Sequence, residues 1–477
     1  MPGEQSSDGG ALLCWFARAA ERGDPYAQFN LGLMYKDGKG VARDDVAACR
    51  WLRRAALQRL AFAQNHLGSM FYQGRGVRQS DDDALHWFGL AAAQGDASAQ
   101  LNLGEMARHG RGMARDPELA VYWYGRAAEQ ELAGAQHLLA ECYLRGEGVA
   151  TSHALAMAWF RKAAVQEHAP AEVCLGLMYR QGQGVAPNEA VAMHWFRRAA
   201  ARGDACAQRL VGLAGLERAR TPAARAGALA WLRRAAGQGD AEACFGLGRW
   251  LAGARDGAGG TVGTDGTVGT DGAGAIDAAG DGRDDAAAAA WFALAAGQGH
   301  ALAQYHLGAM YARGRGVRRD PARALHWYLR AAEQGAANAQ FTLGVLYANG
   351  EGVRRDAALA AHWYRRAAEQ GDASAQNNLG VLYATGQGVR QDDVLAVQWY
   401  GLAAAQGHAL ARYNLGGMYG SGRGVARDRL RSTMWMLLAA DAGDPSAAAG
   451  AADEGGAGLR RAWRGARAAA RSLRRAA

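Results

Sequence analysis

"FTLGVLYANGEGVRRD", residues 341–356, carries a Gly-x-Gly beside an apolar run. Glycines at that spacing let backbone amides approach a phosphate, so Gly350-Glu351-Gly352 reads either as a nucleotide loop or as a structural turn. A cofactor loop occurs once per domain, whereas a structural turn occurs as often as its repeat. Gly-x-Gly followed by Val or Met begins at Gly38, Gly74, Gly110, Gly146 and Gly182, then at Gly314, Gly350, Gly386 and Gly422, in 36-residue steps on either side of one gap. No strand pattern precedes the motif and no Lys-Ser/Thr follows it, so the turn reading stands and the chain is a repeat array.

Tryptophan fixes the register, at 36-residue steps from Trp15 to Trp231 and again from Trp291 to Trp435. The one irregular step, Trp231 to Trp291, is a period plus a 24-residue insertion. Ala-Ala follows each of these tryptophans at helical spacing, as with Trp327, Ala331 and Ala332. Upstream stand residues whose short oxygen-bearing side chains cap helices: Asp44, Ser80, Asp116, Ser152, Asn188, Asp284, Asp320, Asp356, Asp392 and Asp428, with proline next at Pro117 and Pro321. A second helix therefore starts after each. The first helix reads "ANAQFTLGVLYANG", with Ala339, Leu343 and Tyr347 on one stripe and Gly344 beside it. A mid-helix glycine costs about 1 kcal/mol relative to alanine, so its recurrence at Gly32, Gly68, Gly104 and Gly176 predicts close helix packing.

The pattern A-x-A-Q-x-x-L-G-x-x-Y-x-x-G-x-G-V, continued by D-x-x-x-A-x-x-W-x-x-x-A-A-x-x-G, resembles the Sel1-like repeat, a helix-turn-helix relative of the tetratricopeptide repeat, from about residue 9 to 448. Tetratricopeptide repeats run about 34 residues without this turn, and pentatricopeptide repeats match the pattern much less. The resemblance implies an all-α fold: a right-handed superhelical α-solenoid of about eleven helix-turn-helix repeats with a 36-residue period. It also implies a non-enzymatic scaffold or adaptor that binds partner proteins or extended peptides on its concave face. The alternative it offers is a hydrolase using polar groups in the groove, as described for cysteine-rich relatives. This chain lacks their paired cysteines.

Composition narrows the function further. Six cysteines, Cys14, Cys49, Cys142, Cys174, Cys206 and Cys244, occupy scattered repeat positions without a C-x-x-C and read as reduced thiols. His86, His194, His326 and His362 each precede a repeat tryptophan, which makes them column members. No catalytic, cofactor-binding or metal-ligating set is expected. Apolar runs are too short to span a membrane and the first residues show no secretory pattern, so a cytoplasmic location is expected. The chain has 54 basic and 45 acidic residues, and only three of the basic ones are lysine. Much of the excess sits at the C-terminus.

The expected organisation is a disordered N-terminus at 1–8, then an N-terminal repeat array at 9–252 whose sixth and seventh repeats are degenerate. A Gly/Asp/Thr-rich flexible insertion follows at 253–283, a second array at 284–458 and an Arg-rich amphipathic helix at 459–477. Asp265, Asp271 and Asp277 recur every six residues within the insertion, and the glycine-rich linker reading is preferred to calcium chelation. If Ala27, Leu31 and Tyr35 are buried, the stripe at 26, 30, 33 and 37 faces away from them. Its position-30 members, Asn30, His66, Asn102, His306, Thr342, Asn378 and Asn414, form a polar row expected to hydrogen-bond a partner. In the last segment, Leu459, Trp463 and Leu473 suit a terminal cap. Arg460, Arg461, Arg464, Arg467, Arg471, Arg474 and Arg475 suit the alternative of an anionic partner; the cap reading is preferred, and nucleic acid or an acidic membrane surface is a candidate partner through this tail only.

Overall fold

A computed structural model describes residues 5–253 and 284–441, with side chains over 12–253 and 284–440. Among the described residues there are 23 α-helices, numbered α1–α23 in chain order, and no strand. The pair α20 (Ala373–Thr385) and α21 (Asp393–Ala405) shows how the sequence builds a repeat. Asp372 Oδ1 accepts the Ala375 N–H at 2.7 Å and opens α20. Asp392 Oδ1 accepts the N–H groups of Val394 and Leu395 at 3.0 and 2.9 Å and opens α21. All ten residues expected to cap second helices do so through their side chains.

Between the two helices, Gly386 closes α20 in the left-handed region at φ 70°, its N–H donating to the Leu382 carbonyl at 2.9 Å. Gly388, also at φ 70°, has a second reason to be glycine: a Cβ there would collide with the Ala357 carbonyl at the start of α19 (Ala357–Glu369). Where the Gly-x-Gly turn is kept, its second glycine can thus rest on the second helix of the repeat before it. Gly76 meets Asp45, Gly316 meets Asp285 and Gly424 meets Asp393 in the same way. Gly350 and Gly352 lie at φ 78° and 73°, so the opening motif is a structural turn.

The mid-helix glycine serves packing. A Cβ on Gly380 would stand 2.7 Å from Tyr400 Cδ1, and Gly68 faces Phe88 at the same distance. These partners stand one residue after the tryptophan, so the ring that fills the core is the tryptophan's neighbour. Phe88, Tyr124, Phe160, Phe196 and Phe292 are all at most 2% exposed. Most of the repeat tryptophans are half-buried, and Trp15 is 65% exposed. Arg54 lies 4.6 Å over Trp51 and Arg198 4.8 Å over Trp195, covering the outer ring faces with guanidinium. Ala-Ala pairs such as Ala403 and Ala404 are buried, letting the next first helix approach.

The degenerate sixth repeat is visible in the backbone. Helix α12 (Ala205–Arg218) ends at Ala219 in an extended conformation without the left-handed glycine, and α13 (Pro222–Gly237) follows. Contacts divide the chain into units Met1–Trp231 and Leu232–Ala477, a division that falls inside α13. Helix α1 (Gln5–Glu21) takes in part of the stretch expected to be disordered, 1–8. The expected insertion from 254 onward and the segment 442–477, with all seven tail arginines, lie outside the described residues. Among the described residues no helix is long and apolar enough to cross a membrane.

Candidate binding face along the first helices

The position-30 row exists, and each member is already engaged within the chain. In four of them, position 30 of one first helix meets position 29 of the preceding one. Asn102 Nδ2 donates to Asn65 Oδ1 at 2.9 Å, and Asn414 Nδ2 to Asn377 Oδ1 at 3.0 Å, both across 37 residues. His66 packs 5.5 Å from the Phe29 ring, and His306 lies 5.6 Å from Phe245 while stacking on Phe292 at 5.2 Å. Burial pushes both imidazoles down to about 4, so they stand neutral at pH 7. Asn30 Nδ2 donates to the Tyr26 carbonyl and Thr342 Oγ1 to the Asn338 carbonyl, at 2.9 and 2.8 Å. Asn378 accepts from Asn377 Nδ2 at 3.2 Å and hydrogen-bonds the Tyr364 hydroxyl. All seven are half-buried.

The open members of the stripe lie one turn earlier. Tyr26 is 62% and Phe62 60% exposed; Leu302 and Leu410 occupy the same position in the second unit and are exposed too. Sequence reading singled out the polar row and passed over these apolar flanks. Their signal was present: an aromatic four residues before a polar position-30 residue.

A second row was not foreseen. Gln28, Gln64, Gln100, Gln136, Gln304, Gln340 and Gln376 are buried at the first-helix N-terminus. Gln376 Nε2 donates to the Ala368 carbonyl of the preceding second helix at 3.1 Å, while its Oε1 accepts from Gln406 Nε2 at 2.9 Å. The same two bonds recur at Gln64, with Ala56 and Gln94. Where the row carries Glu172, its partner is Arg202. Glu172 is fully buried, with Arg198 Nη2 at 3.0 Å and Arg202 Nη1 at 3.4 Å from Oε1, yet neither oxygen accepts an aligned hydrogen bond. Burial raises its pKa, and the two guanidinium groups oppose that rise.

The recesses also repeat. One is lined by Phe71, Val77, Arg78, Gln79, Ser80 and Asp81, and another by Tyr311, Val317, Arg318, Arg319, Asp320 and Pro321, the same positions in another repeat. One cluster breaks the periodicity: His137 and Glu141 on α8 (Ala133–Arg145) and Cys174 on α10 (Ala169–Gln181) place one donor atom each within 4.8 Å of one another. Burial pushes the Cys174 thiol up to about 12. That shift favours the protonated thiol over the thiolate that nucleophilic attack requires.

The Sel1 repeat model matches residues 15–24, 25–59, 61–96, 97–132, 133–168, 169–204, 207–240, 277–300, 301–335, 337–372, 373–408 and 409–444. The chain belongs to the Sel1 repeat family. It is similar over 93% of both chains, at 30% identity and a TM-score of 0.61, to c5321, a protective antigen of uropathogenic Escherichia coli strains displaying an SLR fold. A Sel1 repeat protein from Oxalobacter formigenes is 29% identical with a TM-score of 0.46, covering 48% of this chain and 96% of its own. No curated protein sequence matches the chain. Membership of the Sel1 repeat family agrees with the matched solenoid fold and with a general role in protein interaction.

Proposed function

We propose that the protein is a non-enzymatic scaffold whose first helices hold partner proteins or extended peptides. The observation that carries this reading is the stripe on which Tyr26 and Phe62, both more than half exposed, precede Asn30 and His66 by one turn. Exposed aromatic rings beside a row of fixed polar groups offer apolar anchoring together with hydrogen-bond registration. The polar row is held in place, Asn102 and Asn414 by the preceding repeat and Asn30 and Thr342 by carbonyls of their own helices, so ordering it on binding costs little conformational entropy. The recurring recesses and the protonated Cys174 favour a scaffold over a hydrolase.

The test places a photo-crosslinking amino acid at Phe62 or Ser374 on first helices, and at Leu90 or Leu402 on second helices, in the full chain expressed in its native cell. Partner adducts from the first pair and not from the second are expected. Adducts confined to the second-helix positions, or turnover of a small substrate lost in Cys174→Ser, would sink the proposal.

A further inference from the structure

We propose that His137, Glu141, Cys174 and His168 form a binding site for one divalent transition-metal ion of the zinc class, clamping the first helices of two adjacent repeats. His137 and Cys174 occupy the 29/30 relationship that elsewhere holds Asn65 with Asn102 and Asn377 with Asn414. The asparagine pairs satisfy each other. Here the buried Nδ1 of His137 and the buried Nδ1 of His168 have no hydrogen-bond partner. His168 stands at the N-cap of α10, where its counterparts His300 and His408 accept the helix N–H groups of Ala303 and Ala411 at 3.1 and 3.2 Å. His168 makes no such bond. Its ring lies against His137 instead, with centroids 5.2 Å apart. Two imidazoles on one tetrahedral ion with metal–nitrogen bonds of about 2 Å also stand roughly 5 Å apart, centroid to centroid.

The donor chemistry selects the ion. A thiol sulfur, two imidazoles and a carboxylate suit zinc, cobalt or nickel, whereas magnesium and calcium require oxygen throughout. The donor atoms of His137, Glu141 and Cys174, within 4.8 Å of one another, approach the roughly 3.5 Å separations of a tetrahedral shell through side-chain rotation, and His168 joins them through its ring against His137. Binding forms a sulfur–metal bond as the Cys174 proton leaves to water; the imidazoles, already neutral, lose none. Arg145 and Arg108 stand 3.3 and 3.5 Å from the Glu141 oxygens. Arg145 is 59% exposed and can turn outward, while Arg108 keeps Glu147 at 3.0 Å.

The full chain, stripped with chelator and then freed of it, would be titrated with Co2+ and separately with Zn2+. A thiolate-to-cobalt charge-transfer band saturating at one ion per chain is expected, with a Zn2+-dependent rise in melting temperature. Cys174→Ser should abolish the band and the rise, whereas Cys206→Ser should keep both. Glu141→Gln and His168→Ala should each weaken Zn2+ binding at least about tenfold while leaving the helical circular dichroism unchanged. Should Cys174→Ser fail to fold, Glu141→Gln and His168→Ala still decide the matter by that loss of affinity. Absence of the band, its survival in Cys174→Ser, or unchanged affinity in both other variants would overturn the site.

Discussion

Asn414 donates its side-chain N–H to Asn377 Oδ1 at 3.0 Å, so a residue expected to face a ligand also fastens two repeats together. Asn414→Ala should therefore lower unfolding stability by about 1 kcal/mol, the usual worth of one such bond. A double-mutant cycle with Asn377→Ala should show coupling, and one with Asn65→Ala should show none. Urea melts of the parent, the three single variants and the two double variants would measure both, and equal coupling in the two cycles would refute the pairing.

The glycine facing Tyr400 cannot take a larger residue. Gly380→Val places a branched side chain where even a Cβ stands 2.7 Å from the ring, and overpacking of this kind costs about 1–3 kcal/mol. The loss should appear as a lower melting temperature, despite the better helix propensity of the new residue.

Glu131 sits at φ 63° in a turn position that Gly95, Gly335, Gly371 and Gly407 fill elsewhere. A left-handed residue with a Cβ costs about 1–2 kcal/mol, partly offset by the greater freedom of glycine in the unfolded chain. Glu131→Gly should raise stability by up to about 1 kcal/mol, read from the shift in urea midpoint. A decrease would refute the strain argument.

Glu172 tests the glutamine row by pH. Its pKa in the fold is raised by burial above the ordinary carboxylate value. It therefore contributes stability below that ordinary value, and the contribution is lost as pH rises through the folded-state value. Glu172→Gln with Arg202→Gln restores the pairing seen at Gln376 and Gln406 and removes that group's titration. The double variant should be at least as stable as the parent at pH 7. The difference between their stabilities should widen from about pH 4 upward. A parallel pair of pH profiles would contradict this.

Periodicity, caps and the Gly-x-Gly turn were legible in the sequence because each is a property of one repeat. Asp392 caps whatever helix follows it, and Gly386 ends whatever helix precedes it. Asn377 with Asn414 and His137 with Cys174 were not legible, because they join different positions of successive repeats. The period alone does not say which position of one first helix meets which position of the next. The buried glutamines share a column and were visible as a repetition, yet their burial depends on the carbonyl of the preceding second helix. The core ring was not singled out for a related reason. Tryptophan is the most regular aromatic in the chain, while the residue after it, Tyr400 or Phe88, varies in type and fills the space beside glycine.

The two kinds of pairing treat a gain or loss of whole repeats differently. Gln28 with Gln58, and Glu172 with Arg202, lie inside single matched repeats, 25–59 and 169–204. A unit copied, deleted or moved carries both halves of such a pair with it, even when the pair has switched from two amides to a carboxylate and a guanidinium. Asn65 with Asn102 and His137 with Cys174 belong to neighbouring units, and shuffling by one unit separates them. Array length is thus free to drift while the inner pairs stay matched, and the order of units is recorded only at the few joints where the first helices interlock.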